Sequence, residues 1–454
     1  MTPYRVFARI SALVAALAVL ESCTSPSAPT TVCGTASHAT AATEAVPQTT
    51  ITVTSPDNRA TILTYDMPVP GAPPSAAQRA DDLAEQRALR TRSSEPVQAR
   101  IDYWRVNNTL RWNEIARALV ARTSTTPPRA ARAYALVSVA QHDALALAQH
   151  EPAISTELAV GAASAGVLRA LFAQQRDVAD QSLIEQTEMR VWGALNTRTE
   201  ANRAITLGNA VATRVIARSS ADGSDAHIQP AQATYAQHWQ PNPNAAQPNG
   251  VEPGWGAVRP WLLTRSDALR PDPPPAFGSA AFIAALAEIR RFSQERTADQ
   301  LRIAQYWADG PGSATPPGHW NQIACQLIVE ARLDDAQATQ LLARLNMALM
   351  DASIAVWDAK YQYRVIRPSQ ADQTITTPIG VPNFPAYPSG HSAFSSAAAQ
   401  VLAARFPARA AWLRELADEA SISRLYGGIH YRFDAEAGQA LGTSIGQLAV
   451  TLWP

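Results

Sequence analysis

The alternation of apolar and polar residues changes character along the chain. From residue 99 onward, apolar side chains recur at three- and four-residue intervals in blocks near 99–123, 128–149, 155–173, 178–194 and 197–219, each closed by Gly, Pro or Ser-rich breaks. That spacing puts the apolar residues on one face of an α-helix, so each block predicts one. The pattern lapses over residues 220–278, which are rich in Pro, Asn, Gly and Trp. A loop of that length between helices points to a functional or rim structure. Periodicity resumes near 279–293, 297–308, 316–332, 334–366, 390–405, 407–426 and 431–450. The sum is an all-α protein, a helical bundle of a dozen or so helices without an internal repeat.

Before residue 99 the pattern differs. "TITVTSPDNRATILTYDM", residues 50–67, alternates on either side of a Ser-Pro-Asp-Asn turn and predicts a small β-hairpin. Residues 23–48 are mostly Thr, Ser, Ala and Pro, too poor in apolar surface to fold, and read with the polar stretch 70–98 as a low-complexity tether. Residues 1–22 have the form of an export signal: Arg5 and Arg9, then an apolar run from Ile10 to Leu20, then "LESC". Leu20, Ser22 and Cys23 resemble a lipoprotein cleavage site, with Glu21 unusual in it; the alternative is ordinary cleavage and a periplasmic product in which Cys23 and Cys33 are disulfide-linked. The expected organisation is a leader (1–22), a tether (23–98), an N-terminal helical part with the long loop (99–278) and a C-terminal helical part (279–454).

Composition narrows the chemistry. Formal net charge is zero, and no basic run is interleaved with aromatics, so nucleic acid is not an expected partner. Beyond the leader no stretch reaches the roughly 18 apolar residues of a membrane span; contact with a membrane is expected only through a lipid on Cys23. Three cysteines make neither a disulfide framework nor a Cys-based zinc site. Nothing in the sequence specifies an oligomeric state.

One residue type is singular: Lys360 is the only lysine among 38 basic residues. An ammonium is a compact point charge where a guanidinium is a planar fork, so the two differ wherever space around an anion is tight. Lys360 and Arg367 lie two helical turns apart in "WDAKYQYRVIRP", about 10 Å along one face if the helix runs to Pro368, with Trp357 close to that face. In "NFPAYPSGHSAFSSAAAQVLAARF", residues 383–406, a helix start follows Pro388. Its free N–H groups, the Ser389 hydroxyl and the unhindered backbone of Gly390 make an anion cradle, with His391 next to it for acid–base work. In "SRLYGGIHYRFDAEAG", residues 423–438, Arg424 adds a third cation. His430 and Asp434 are spaced so that the carboxylate can hold the imidazole's tautomer. Each cation about 4 Å from an anion contributes roughly 4 kcal/mol at an effective dielectric of 20, before desolvation. Together these groups fit a multiply charged tetrahedral oxyanion. Of the other histidines, His142, beside Asp143, reads as structural, His319 as a residue of the site entrance, and His38, His150, His227 and His238 lack nameable partners.

The order Lys360, Arg367-Pro368, Pro388-Ser389-Gly390-His391, Ser423-Arg424, His430 and Asp434 resembles the type 2 phosphatidic acid phosphatase and vanadium haloperoxidase superfamily over about residues 300–445. The resemblance implies an oxyanion pocket of Lys360, Arg367, Ser389, Gly390 and Arg424. In the phosphatase branch it implies His430 as a nucleophile becoming phosphohistidine, His391 as the acid, and no cofactor. In the haloperoxidase branch it implies vanadate as cofactor, with His430 as the axial vanadium ligand. "FPAYPSGH", "HYRFDA" and "YWADGPGSATPPGHWNQI" (306–323) look more like the soluble haloperoxidases; there Asp309 is expected to pair with Arg424, and Trp357 and Phe384 to stand on the halide side as in chloride-oxidising members. His391 is followed by Ser392 where the family pattern has alanine. The implied partners are small molecules, hydrogen peroxide and halide or, in the other branch, a phosphomonoester.

Overall fold

The computed structural model describes residues 62–64, 67, 75–90, 95–105, 107–149, 151, 153–193, 195–226 and 237–452. The expected leader and the first part of the tether lie outside these residues, as does most of the hairpin. Its described residues 62–64 and 67 form no strand. Instead the amides of Ile62 and Leu63 and the hydroxyl of Thr64 donate to the Asp143 carboxylate at 2.7, 2.8 and 3.1 Å, which gives that buried aspartate a structural duty.

Seven helices precede the long loop: α1 (Ala76–Arg90), α2 (Glu95–Arg105), α3 (Asn108–Arg122), α4 (Pro127–Ala148), α5 (Thr156–Leu171), α6 (Arg176–Trp192) and α7 (Arg198–Ser220). Eight follow it: α8 (Ala280–Glu295), α9 (Ala298–Tyr306), α10 (Thr315–Glu330), α11 (Asp335–Tyr363), α12 (Pro368–Ala371), α13 (Gly390–Arg405), α14 (Ala410–Tyr426) and α15 (Arg432–Leu452). Among the described residues there is no strand, only an isolated bridge between His238 and Val365.

Two elements correct the sequence reading. Residues 76–90 are helical rather than irregular tether: "AAQRADDLAEQRALR" is built of strong helix formers, and Ser75 and Gln78 close a reciprocal cap between side chains and backbone. The helix carrying Lys360 stops at Tyr363, before Arg367. Arg364 takes a left-handed backbone (φ 52) and its amide bonds the Lys360 carbonyl, and Arg367 is extended (φ −73, ψ 151) because a residue before proline is pushed out of the helical region. Lys360 and Arg367 therefore do not share a helix face.

The core is dense and rich in alanine. In α4 and α11 nearly every residue is buried, which marks them as central helices. Six tryptophans, at 104, 112, 255, 307, 320 and 357, are fully buried; removing one such side chain costs about 3–5 kcal/mol. A stripe of small residues seats α15 on α13. A Cβ at Gly438, Gly442 or Gly446 would stand 2.4, 2.1 or 2.7 Å from the carbonyls of Ser389, Ala393 and Ala397, so only glycine permits this approach. The Ser389 amide also donates to the Asp434 carbonyl at 2.9 Å.

The long loop is bound along α11. The amides of Trp261, Leu262 and Leu263 donate to the buried Asp351 carboxylate at 2.7, 2.7 and 2.8 Å, and the Trp255 indole donates to Ser353. Further on, Val251 accepts through its carbonyl from the Trp357 indole (3.0 Å) and the Tyr361 hydroxyl (2.8 Å), while its amide donates to Asn383.

Candidate active site

Three segments bring the predicted residues together. The last turns of α11 carry Trp357 and Lys360; the Ser389 cap and start of α13 carry Gly390 and His391; the end of α14, a turn through Gly428 (φ 72) and the start of α15 carry Arg424, His430 and Asp434. Lys360, Arg367, Ser389, Arg424, His430 and Asp434 are each at most 2% exposed.

Lys360 does something the sequence did not suggest. Its ammonium donates all three hydrogens to backbone carbonyls, those of Pro385 (2.9 Å), Ala386 (2.9 Å) and Pro388 (2.6 Å). It thereby moulds the segment that delivers Ser389, while its charge acts on the cradle beyond. The nitrogen also sits 5.0 Å from the Phe384 ring centroid and 5.9 Å from that of Trp357, and the two rings are 4.9 Å apart.

Arg367 is anchored by the Phe384 carbonyl (Nε, 2.9 Å) and the Ile429 carbonyl (Nη1, 2.7 Å), and Nη1 is 3.1 Å from His430 Nε2. Its Nη2 is buried without a hydrogen-bond partner. Arg424 is fixed by the Ser423 hydroxyl and the Ala304 carbonyl. His430 Nδ1 lies 2.9 Å from Asp434 Oδ2, which also accepts the Tyr431 amide at 3.0 Å. An ionised carboxylate only accepts, so the proton is assigned to Nδ1 and the Nε2 lone pair faces Arg367 and the cradle. Ser389 Oγ accepts from the Ser392 amide and hydroxyl, and Ser392 is joined in turn to the Ser421 hydroxyl at 2.7 Å. With its lone pairs engaged, the Ser389 hydroxyl is left to donate. Ser392, the departure from the family pattern, supplies one of those bonds.

The electrostatics follow from the crowding. Burial brings Arg367 and Arg424 down to about 10, opposed by Asp434 and Asp309 respectively, so both stay charged at neutral pH. Burial and then Arg367 hold Lys360 well below its usual value, with Asp434 opposing. Burial raises the Asp434 carboxyl, against the Tyr431 amide, Lys360 and Arg367. Burial again, then Arg424, depresses His391; burial, then Arg367, Lys360, His391 and Arg424, depresses His430. The fields of all three cations and of the second histidine thus reach this one imidazole. Three basic side chains there face a single buried carboxylate, with Asp309 at the margin. Uncompensated buried charge is costly, and an anion of two or three charges balances it.

The unpartnered buried nitrogens, Arg367 Nη2 and His391 Nε2, are the donor and the acid–base group such an anion lacks elsewhere. The residues present therefore fit a tetrahedral oxyanion, vanadate included.

Residues 341–454 match the model of the PAP2 superfamily. The matched region contains every residue assigned to the cradle. Among curated proteins the chain is 30% identical to the vanadium chloroperoxidase of Curvularia inaequalis, over 24% of this chain and 23% of that protein; the match thus spans under a quarter of the relative's length. Among solved structures it is similar to a bacterial vanadium-dependent iodoperoxidase, with a TM-score of 0.68 and 26% identity over 76% of this chain and 95% of that one. It also shares its fold with a bacterial vanadium-dependent chloroperoxidase in its holo form, at a TM-score of 0.58 and 16% identity over 72% of this chain and 93% of that one.

Around this cradle one expected contact is replaced. Asp309 makes no ion pair with Arg424; its carboxylate oxygens both lie 3.2 Å from His319 Nδ1, and Oδ2 is 3.9 Å from His391 Nε2. Asp309 acts on Arg424 through its field alone. The strap through Val251 and the hydroxyl row Ser389, Ser392 and Ser421 were not anticipated. Neither carries a motif, since both depend on contacts between segments far apart in the chain.

Proposed function

We propose that the protein is a vanadate-dependent haloperoxidase that oxidises halide with hydrogen peroxide. The observation that carries this reading is the buried cluster of basic side chains around His430, whose Nδ1 is fixed by Asp434 and whose Nε2 lies 3.1 Å from Arg367 Nη1. Likeness to an iodoperoxidase over 95% of that protein's chain supports the oxidative branch.

Arg367, Ser389, Gly390 and Arg424 would hold the vanadate oxygens and His430 Nε2 the vanadium, with Lys360, its hydrogens engaged by carbonyls, contributing charge. Bound vanadate supplies the Lewis acidity that activates peroxide toward two-electron transfer from halide. The balance is H2O2 plus X⁻ plus H⁺ giving HOX plus H2O, so each turnover consumes one proton. His391 Nε2, buried and unpartnered, holds that proton at the cradle. Trp357 and Phe384 give the halide an apolar wall beside the Lys360 charge, and the Asp434 carboxylate keeps His430 in the tautomer that presents Nε2. The leader read in residues 1–22 would place the enzyme in the periplasm or cell envelope, anchored through Cys23 if lipidated.

A phosphomonoesterase working through a phosphohistidine at His430 is the second reading, because the same donors fit phosphate and His430 is oriented as a nucleophile would be. Purified protein loaded with orthovanadate is assayed for halide-dependent halogenation of a dye by peroxide, and without vanadate for phosphate release from a phosphomonoester. Halogenation is expected; phosphate release alone reverses the assignment. His430→Ala is expected to abolish either activity with the helical fold retained, and a variant that still turns over contradicts the role of His430.

A further inference from the structure

A site buried this deeply that takes up a proton in each cycle needs a path for it. We infer that Asp309 and His319 form a second acid–base pair at the mouth of the cradle and deliver to His391 the proton consumed there.

The geometry is that of a short chain from the surface inward. Tyr306 is 48% exposed, and its hydroxyl lies 3.3 Å from His319 Nε2. His319 Nδ1 lies 3.2 Å from both carboxylate oxygens of Asp309. Asp309 Oδ2 is 3.9 Å from His391 Nε2, which has no hydrogen-bond partner among the described residues. That last gap is too long for a direct hydrogen bond and is within reach of a small side-chain rotation or one bridging water.

The chain is held rigidly. Trp307 stacks its ring on His319 (centroids 4.4 Å, planes 21° apart), its indole donates to Glu419 at 2.9 Å, and its backbone hydrogen-bonds the His391 ring. One buried residue therefore fixes both imidazoles. Asp309 has a left-handed backbone (φ 44), a conformation kept in folded proteins where the surroundings impose it, often at functional sites.

The pair is electrically linked to the site: Asp309 acts on Arg424 of α14, and His319 acts on His391 of α13, which Asp309 approaches to 3.9 Å. Tyr134 of α4 is nearby, and its hydroxyl is engaged by the Ala314 carbonyl. Among the described residues the one carboxylate touching His319 is Asp309, which gives a proton on that imidazole its inward acceptor. His319, held between Asp309, Tyr306 and Trp307, is a positioning and proton-supplying residue. The inference rests on the haloperoxidase reading only in requiring a proton at the guest, which protonation of a phosphomonoester's leaving oxygen would require equally.

The test uses His319→Ala and His319→Gln in the full-length, vanadate-loaded protein. Loss of an acid–base relay is expected to lower kcat about tenfold, to change the pH profile of kcat, and to leave KM for peroxide and halide within about twofold, as a defect in proton supply rather than binding requires. Added imidazole is expected to restore part of the loss in the alanine variant. Orthovanadate affinity, measured calorimetrically, is expected to match wild type. The glutamine variant keeps a hydrogen-bonding side chain in the loop but cannot carry the proton, so it is expected to be as slow as alanine. Wild-type kcat and pH profile in the glutamine variant overturn the inference. So does a loss in both variants that imidazole leaves untouched and that tracks a fall in vanadate affinity, the mark of a loop staple. If wild-type protein releases phosphate instead of oxidising halide, the haloperoxidase reading fails, and the ratio of variant to wild-type turnover on that activity still decides the relay.

Discussion

Replacing the single lysine by the other basic residue, Lys360→Arg, keeps the charge and alters only shape. The Lys360 side chain is fully buried, and its three hydrogens converge on the carbonyls of Pro385, Ala386 and Pro388 at 2.9, 2.9 and 2.6 Å. A guanidinium presents its donors in one plane and is larger, so at least one of three carbonyls loses its partner. An unmade bond at a buried polar group costs about 1–3 kcal/mol, and forcing extra atoms into a filled site costs about 1–3 kcal/mol more. The expected destabilisation is at least about 2 kcal/mol from the sum of those terms. The strain falls on residues 385–388, which lead into the Ser389 cap, so orthovanadate binding should weaken by at least about tenfold, or about 1.4 kcal/mol. Thermal unfolding with and without orthovanadate, together with calorimetric titration, measures both. An arginine variant with wild-type stability and affinity would refute the claim that convergence on three carbonyls, rather than charge alone, is why this position is lysine.

Other outcomes follow from the same contacts. Gly438→Ala would set a methyl 2.4 Å from the Ser389 carbonyl and 2.9 Å from Ser392 Cβ, so α15 must shift away from the cradle; anion affinity should fall together with stability, and loss of stability alone would show that the cradle is not held through α15. Sulfate, which does not titrate near neutrality, should bind more tightly as pH falls. His391 and His430 are depressed in the anion-free protein by burial and neighbouring cations, a bound anion raises them, and binding must then take up protons. Calorimetry in buffers of different ionisation enthalpy measures the uptake, with affinity changing by up to about tenfold per pH unit for each proton. Sulfate affinity that is flat between about pH 5 and 8 would mean that neither imidazole senses the guest.

Helices with an apolar stripe were legible because burial on one face imposes a period of 3.6 residues. The helices at 127–148, 198–220 and 432–452 fall within about two residues of their expected bounds. The helix at 76–90 was passed over: it is polar on average, its apolar face is made mostly of alanine with two leucines, and its other signals were propensity and the Ser75–Gln78 cap. In the site, the Ser389 cap and the His430–Asp434 pair were readable because each needs only neighbours close in sequence. The site's longer-range duties were hidden. Pro368 could have warned that Arg367 leaves the helix, since the residue before proline avoids the helical region. The convergence of the Lys360 ammonium on carbonyls some 25 residues away, and the exchange of Arg424 for His319 as the partner of Asp309, depend on tertiary packing that no spacing encodes. Buried aspartates within apolar helices, Asp143 and Asp351, were the readable trace of the segments bound to α4 and α11, since a buried carboxylate must be satisfied by donors from elsewhere.

The central claim is that cations from three separated segments enclose one oxyanion against His430. Diffraction from crystals soaked in tungstate, a heavy tetrahedral analogue, tests it most directly. The account predicts an anomalous peak between Lys360, Arg367, Arg424 and His430 Nε2, lost in the Arg367→Met variant with the rest of the chain unchanged. Tungstate bound elsewhere on the chain, with that space empty at saturating concentration, would contradict it.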